Sequence, residues 1–188
     1  MSSKSNLNKK ERRKKYSDKQ SKKEAYRSFL KHFLPLLFAV LLWLITNAIL
    51  HLPSIRPAVE DFFVKFTLKS AVEFGNLLFI PVESPEFPTI KVAGYTMQVI
   101  MECTAYTFYI FVFYLSILSP VKWYQRLITL VVFMLSVFIV NNFRFYTMGF
   151  IGKYYVGIFH QVHDYFWNIL FGFLVFLIWL WRYRSVKI

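Results

Sequence analysis

This chain of 188 residues has one cysteine, Cys103, and only 10 acidic residues against 23 lysines and arginines. A single cysteine excludes an internal disulfide, so the redox compartment cannot be inferred from bridges. Charged residues make up 18% of the chain and hydrophobic residues 56%, which is too apolar for a soluble domain of this size. Because the apolar residues form runs long enough to cross a bilayer, the sequence predicts an all-α membrane protein.

The positive charge is concentrated at the N-terminus, where the first 31 residues hold 12 Lys or Arg and 3 acidic residues. With almost no apolar side chain to bury, 1–31 is predicted to be a disordered cytoplasmic tail that precedes an integral membrane domain, 32–188. The tail lacks interleaved aromatic residues. We therefore expect anionic membrane lipids, and not nucleic acid, as its partner.

Four apolar runs have the length of a membrane-spanning helix. They are 33–50, 99–118, 127–146 and 163–181. Gly149 and Gly152 are expected to loosen the chain after the third run. The sequence therefore predicts about four transmembrane helices.

The segment between the first two runs is different in character. Residues 57–80 have helical periodicity but carry several charges, which favours an amphipathic helix at the membrane interface on the extracytoplasmic side. The stretch TIKVAGYTMQV alternates in polarity around Gly94 and follows three prolines, which predicts a short β segment or hairpin.

Lysine and arginine in short loops indicate which ends face the cytoplasm. Four spans would place the tail, the second-to-third loop and the C-terminal segment on one side. The basic residues of the last two are Lys122, Arg126, Arg182, Arg184 and Lys187. The chain is thus predicted to be a multi-pass cell-membrane protein with both termini in the cytoplasm.

This topology puts three reactive side chains at one extracytoplasmic level: Cys103, Arg144 and His163. A thiol attacks as its thiolate, which is favoured by a neighbouring cation or a helix N-terminus. His163 could take the thiol proton and return it to a leaving group, and Arg144 could stabilise the thiolate or an oxyanion. The combination predicts a catalytic site with a cysteine nucleophile.

Other interpretations of these residues remain open. Cys103 could be a small buried hydrophobe, and Arg144 a cation that extends to the interface. A zinc site is a further alternative, in which His160 and His163 join Glu102 or Asp164.

At these residues the chain resembles the exosortase/archaeosortase family of membrane-embedded cysteine transpeptidases. The resemblance covers about 71–181 and rests on three blocks. They are LLFIPVES with TIKVAGYTMQVIMECTAY, then NNFR ending at Arg144, and then HDYFWNILF beginning at His163. The chain departs from the family pattern where Cys-Thr-Ala replaces Cys-Ser-Gly and where Trp167 replaces a glycine.

The resemblance implies that Cys103 is the nucleophile, Arg144 the stabiliser and His163 the acid/base, with no metal or cofactor. Its substrates would be exported proteins with a C-terminal sorting signal, made of a short motif, a transmembrane helix and a basic cluster. Cleavage and transfer through a thioacyl intermediate would occur at the outer face. The alternative is a non-catalytic membrane protein, an export or assembly partner whose Cys103 is structural.

Overall fold

The computed structural model describes residues 2–185 and consists of six α-helices, three short strands and three irregular helical turns. The first helix, α1, runs from Ser2 to Leu50 and includes Pro35. Its second half, Phe33–Leu50, is apolar and long enough to span a membrane, as predicted. The basic tail, for which we predicted disorder, continues this helix, and its Lys, Arg, Glu and Gln residues are good helix formers. The division at residues 31 and 32 stays a prediction.

The helix α2, Arg56–Leu77, confirms the helix predicted in the second segment. Its charges are arranged in pairs one turn apart, such as Lys65 with Asp61 at 2.8 Å. Because of these charges α2 is not among the helices apolar enough to cross a membrane. Its position at the membrane interface stays a prediction.

A three-stranded antiparallel sheet follows, in the order β1 (Val82–Glu83), β2 (Thr89–Val92) and β3 (Tyr95–Gln98). It confirms the predicted hairpin. The turn between β2 and β3 is Ala93-Gly94, with φ of 50° and 90°. Positive φ at both residues is typical of the two-residue turn whose twist matches a hairpin, and glycine adopts it without strain.

The second predicted span begins later than we expected. Residues Met101–Thr104 form a 3₁₀ turn, Ala105 has a left-handed φ of 55°, and the helix α3 covers only Tyr106–Leu118. This helix has 13 residues and a rise of about 20 Å. It packs against α1, where Trp43 donates to the Thr107 carbonyl at 2.9 Å.

The third predicted span ends later than we expected. The helix α4 runs from Trp123 to Tyr154, eight residues past the predicted end at 146. The helix continues through Gly149 and Gly152, so these glycines do not loosen it. A Cβ at either position would overlap the side chain of Val92 or Tyr95. These glycines let the hairpin lie directly on the helix.

The C-terminal span is also wound differently from the prediction. It begins with a 3₁₀ turn, Val156–Ile158, and the short helix α5, Phe159–Gln161. A π-helical turn, Val162–Phe166, then leads into α6, Trp167–Ser185. The predicted start at His163 therefore lies within the π turn. Lys187, used above for orientation, lies outside the described residues.

Within residues 2–185, three helical segments are long and apolar enough to cross a membrane: Phe33–Leu50, Trp123–Tyr154 and Val156–Arg182. The shorter apolar helix α3 packs between the first two of these. The all-α membrane class is therefore confirmed, with a small sheet at one end of the bundle. The number of four spans stays a prediction.

Candidate active site

Cys103 lies on the 3₁₀ turn that joins β3 to α3. It is 6% exposed and packs in a cluster with residues of α2, the sheet and α4, including Val64, Val99 and Phe145. Its backbone N–H donates to the Ile100 carbonyl at 2.9 Å. The left-handed residue Ala105 separates this turn from α3, so the thiol precedes the helix and is not part of it.

The neighbouring Glu102 turns away from the thiol. Its carboxylate lies 3.5 Å from the Arg56 guanidinium at the start of α2, with both side chains about half exposed. This pair holds the turn against α2. Glu102, a possible metal ligand from the sequence, is therefore engaged elsewhere.

Arg144 lies inside α4, where only 5% of its surface is exposed. Asn141, one turn earlier on the same face, is 4% exposed. Burial of both residues shows that this polar face turns into the protein. The interpretation of Arg144 as a cation at the lipid interface is wrong.

His163 contacts the other polar residues of the site, because both of its ring nitrogens have polar partners. Its Nε2 lies 3.5 Å from Cys103 Sγ and 3.0 Å from an Arg144 guanidinium nitrogen. Its Nδ1 lies 2.7 Å from Asp164 Oδ1. The Phe159 ring is nearly parallel to the imidazole at a centroid distance of 6.1 Å. The three residues predicted from sequence thus meet at a single imidazole.

These contacts define one protonation state of His163. A carboxylate only accepts hydrogen bonds, so the Nδ1–H group donates to Asp164. An arginine guanidinium only donates, so Nε2 carries a lone pair and accepts from Arg144. In this tautomer the basic nitrogen faces the thiol, which is the orientation that a proton acceptor needs.

The surroundings of Cys103 lower the pKa of its thiol below the usual value. Burial acts in the opposite direction and is the largest single influence. It is outweighed by the hydrogen bond to His163, the backbone at Ile100 and the positive charge of Arg144 acting together. The thiolate is therefore accessible at a lower pH than in an ordinary cysteine.

A cavity of about 450 Å³ opens onto this cluster. The cavity is lined by strand β3, by Arg144 and Met148 of α4, and by residues of the irregular segment before α6. Cys103, His163 and Asp164 all line it. The cavity gives a substrate access to the thiol despite the low exposure of Cys103.

Asp164 is the site residue whose role the sequence did not indicate. On sequence grounds it was a possible zinc ligand, whereas the structure shows it as the hydrogen-bond acceptor of His163. His160 lines the same cavity, but its ring contacts Phe159 edge-on. Among the described residues, no group of three or more His, Cys, Asp and Glu side chains could hold a metal ion. The zinc alternative therefore has no support from the described geometry.

A family model described as transmembrane exosortase matches residues 21–181 of the chain. The matched region includes every residue of the cluster. Neither a curated protein nor a solved structure matches this sequence.

Proposed function

Since the chain belongs to the transmembrane exosortase family, we propose that it is a membrane cysteine peptidase and transpeptidase that acts on C-terminal sorting signals. The family membership supports a sorting transpeptidase role in general terms. The observation that carries the specific proposal is the contact of His163 Nε2 with both Cys103 Sγ and Arg144. A thiol, a base and a fixed cation at one point are the groups that acyl transfer requires.

In the proposed reaction His163 Nε2 takes the Cys103 proton as Sγ attacks the carbonyl carbon of the scissile peptide bond. The tetrahedral intermediate then collapses, the C–N bond breaks, and His163 gives the proton to the departing amine. A thioester to Cys103 remains. An acceptor amine or a water molecule attacks it, with its proton passing to His163, and the thiolate leaves.

Arg144 has a changing role in this scheme. While His163 is neutral, the guanidinium donates to Nε2. Once Nε2 is protonated it can no longer accept, and two positive groups lie next to each other. The guanidinium is then free to donate to the thiolate or to the oxyanion of the intermediate. Asp164 stabilises the imidazolium from the other side of the ring.

The proposed substrates are exported proteins that carry a short motif, a transmembrane helix and a basic cluster at the C-terminus. The cavity is proposed to face the extracytoplasmic side, where such a motif emerges from the bilayer. The basic tail is proposed to contact anionic lipid on the cytoplasmic side. The positive charge of the tail supports this cytoplasmic placement.

Co-expression with candidate sorting-signal proteins tests the proposal. We expect the wild type to shorten the substrate, and Cys103→Ala, Arg144→Ala and His163→Ala to abolish the processing. His160→Ala is the matched control, because His160 lines the cavity without a described contact to Cys103 or Arg144. Processing that persists in Cys103→Ala would overturn the proposal.

The burial of Cys103 in a hydrophobic cluster favours a second candidate, an export or assembly partner in which this residue only packs. A membrane-impermeant thiol reagent separates the two. Rapid labelling near neutral pH that slows in Arg144→Ala supports the enzyme, and labelling as slow as that of an ordinary buried thiol supports the structural role.

A further inference from the structure

Strand β3 is an edge strand, because the sheet has the order β1-β2-β3. Val92 and Tyr95 flank the two-residue turn, so they form the first hydrogen-bonded pair of the hairpin. Hydrogen-bonded pairs alternate along an antiparallel ladder. The backbone N–H and C=O groups of Thr96 and Gln98 therefore point away from β2.

These outward N–H and C=O groups have no described hydrogen-bond partner. Both residues are exposed, and within 2–185 no hydrogen bond joins their backbone to a group outside the sheet. An extended edge with unpaired backbone groups is a template for a further strand. The edge therefore presents main-chain donors and acceptors with which an extended peptide could pair.

The open edge lies in the same cavity as the thiol. Thr96 and Gln98 line this cavity together with Cys103 and His163. Only four residues separate Gln98 from Cys103 along the chain. A peptide paired with the edge would thus have its scissile bond near the nucleophile.

The face of β3 that carries Tyr95 and Met97 packs against the rest of the protein. The Tyr95 ring lies against Gly152 and packs on the Phe159 ring at a centroid distance of 5.7 Å. Met97 packs against both hydrophobic clusters of the protein. A strand fixed on one face keeps its edge in position before binding, which lowers the entropic cost of association.

We propose that β3 binds the substrate segment that precedes the scissile bond by adding it to the sheet as a fourth strand. This inference rests on the proposed transpeptidase function and extends it to substrate recognition. The main chain of the substrate would supply the hydrogen bonds, and its alternate side chains would face the cavity. Position along the strand would then determine which bond reaches Cys103.

The test uses the purified full-length chain and two probes with the same reactive group, acetyl-alanyl and acetyl-tetra-alanyl chloromethyl ketone. Each forms an S–C bond with the thiolate and releases chloride. The chain has one cysteine, so the mass shift that is absent in Cys103→Ala reports on this thiol and not on alkylated histidine. We expect the longer probe to react about tenfold faster, as one or two additional hydrogen bonds would allow.

Thr96→Pro removes the outward N–H while leaving the ladder to β2 intact, since a proline is tolerated on an edge strand at such a position. We expect it to abolish the advantage of the longer probe, measured as the ratio of the two rates within the same variant. The matched control is Thr96→Val, which keeps the N–H and the branched side chain and should retain the advantage. Equal rates for both probes in the wild type, or an advantage that survives Thr96→Pro, would overturn the inference.

A second measurement on the wild type guards against distortion of the site by proline. Longer probes N-methylated at single positions should lose the advantage at alternate positions only, because every second residue of an added strand faces the edge. Loss at every position or at none would overturn the inference. Cys103-dependent processing in cells is measured independently, so a failure of the proposed function is distinguishable from a failure of edge binding.

Discussion

At the residue scale, the site depends on how one imidazole is shared. His163 Nε2 contacts the Cys103 thiol and the Arg144 guanidinium, and Nδ1 contacts Asp164. The carboxylate therefore determines which nitrogen is basic. Asp164 acts as a positioning residue, because it touches the base and not the thiol.

Replacing Asp164 with asparagine tests this role. The amide of the new side chain could donate to Nδ1 and stabilise the tautomer whose proton lies on Nε2, which cannot accept the thiol proton. We expect Asp164→Asn to reduce processing about tenfold, less than the ~10²–10⁴-fold effect of a general base, because the carboxylate is 55% exposed. The measurement is the pH profile of processing, whose midpoint should move.

The control is Asp61→Asn, which removes a similarly exposed carboxylate paired with Lys65 on α2. It should leave both the rate and the pH profile unchanged. A rate loss in Asp164→Asn without any change in the pH profile would indicate a purely structural role for Asp164.

The lowered pKa of Cys103 leads to a prediction about pH. The reactive thiolate exists above the pKa, so a lowered pKa places the midpoint of alkylation below that of a free cysteine measured alongside. Arg144→Gln removes a positive charge that favours the thiolate, so the midpoint should move to higher pH. Iodoacetamide alkylation over a pH series measures it.

Lys122→Gln, which neutralises an exposed cation at the start of α4, provides the matched control and should leave the midpoint unchanged. A wild-type midpoint at or above that of a free cysteine would contradict the prediction.

The sequence predicted the three residues of the cluster but not the contact of His163 with Asp164. Successive residues of an α-helix do not face each other, so helical periodicity gave no reason to pair these two. His163 and Asp164 both lie in the π turn, and no feature of its sequence, VHDYF, predicts such a turn. Charge alone likewise did not show that Glu102 pairs with Arg56.

At the scale of elements, the packing of the hairpin on α4 positions the cavity wall. The hairpin was predictable from sequence, because alternating polarity and Gly94 are local signals. The prediction for Gly149 and Gly152 as helix-loosening residues was wrong. Their small size serves a contact with Val92 and Tyr95, more than fifty residues earlier in the chain, and such a distant contact leaves no local pattern.

Gly149→Ala should therefore destabilise the protein. The added methyl would overlap the buried side chain of Val92, and overpacking of this kind costs about 1–3 kcal/mol. We expect a lower thermal midpoint in detergent, measured by intrinsic tryptophan fluorescence.

Gly172→Ala is the matched control, because Gly172 lies in α6 with open space where the methyl would be. It should not lower the midpoint, since alanine is the better helix former. Equal destabilisation by both changes would show that Gly149 does not provide a close contact. A cycle with Val92→Gly, which removes both the Cβ and the Cγ1 that the added methyl would meet, checks the pair. Gly149→Ala should then cost less than it does alone.

At the scale of the whole molecule, the path across the membrane depends on α3. In the described part of the chain three segments have the length of a span, and α3 with 13 residues is shorter. Three crossings would leave the termini on opposite sides, whereas four would return both to the cytoplasm. Apolar run length predicted the membrane class, but it could not reveal the 3₁₀ turn that shortens the second run.

We predict four crossings, because the basic loop residues then share a side with the basic tail. A green fluorescent protein fused after residue 188 should fluoresce, and alkaline phosphatase fused there should be inactive. Phosphatase inserted after Glu86, in the exposed connection before β2, should be active. Active phosphatase at the C-terminus would show an odd number of crossings.

In the last span, membrane insertion and the geometry of the site depend on different features. Insertion depends on apolar length, and the geometry depends on the π turn at Val162–Phe166. Deleting one residue there would leave the run as apolar as before and long enough to insert. It would also replace the π turn by an ordinary α-helical turn, in which successive side chains do not face each other. His163 would then lose its contact with the Asp164 carboxylate. A gap of a single residue at this point in a related sequence would thus mark a protein that still reaches the membrane but has lost its catalytic geometry.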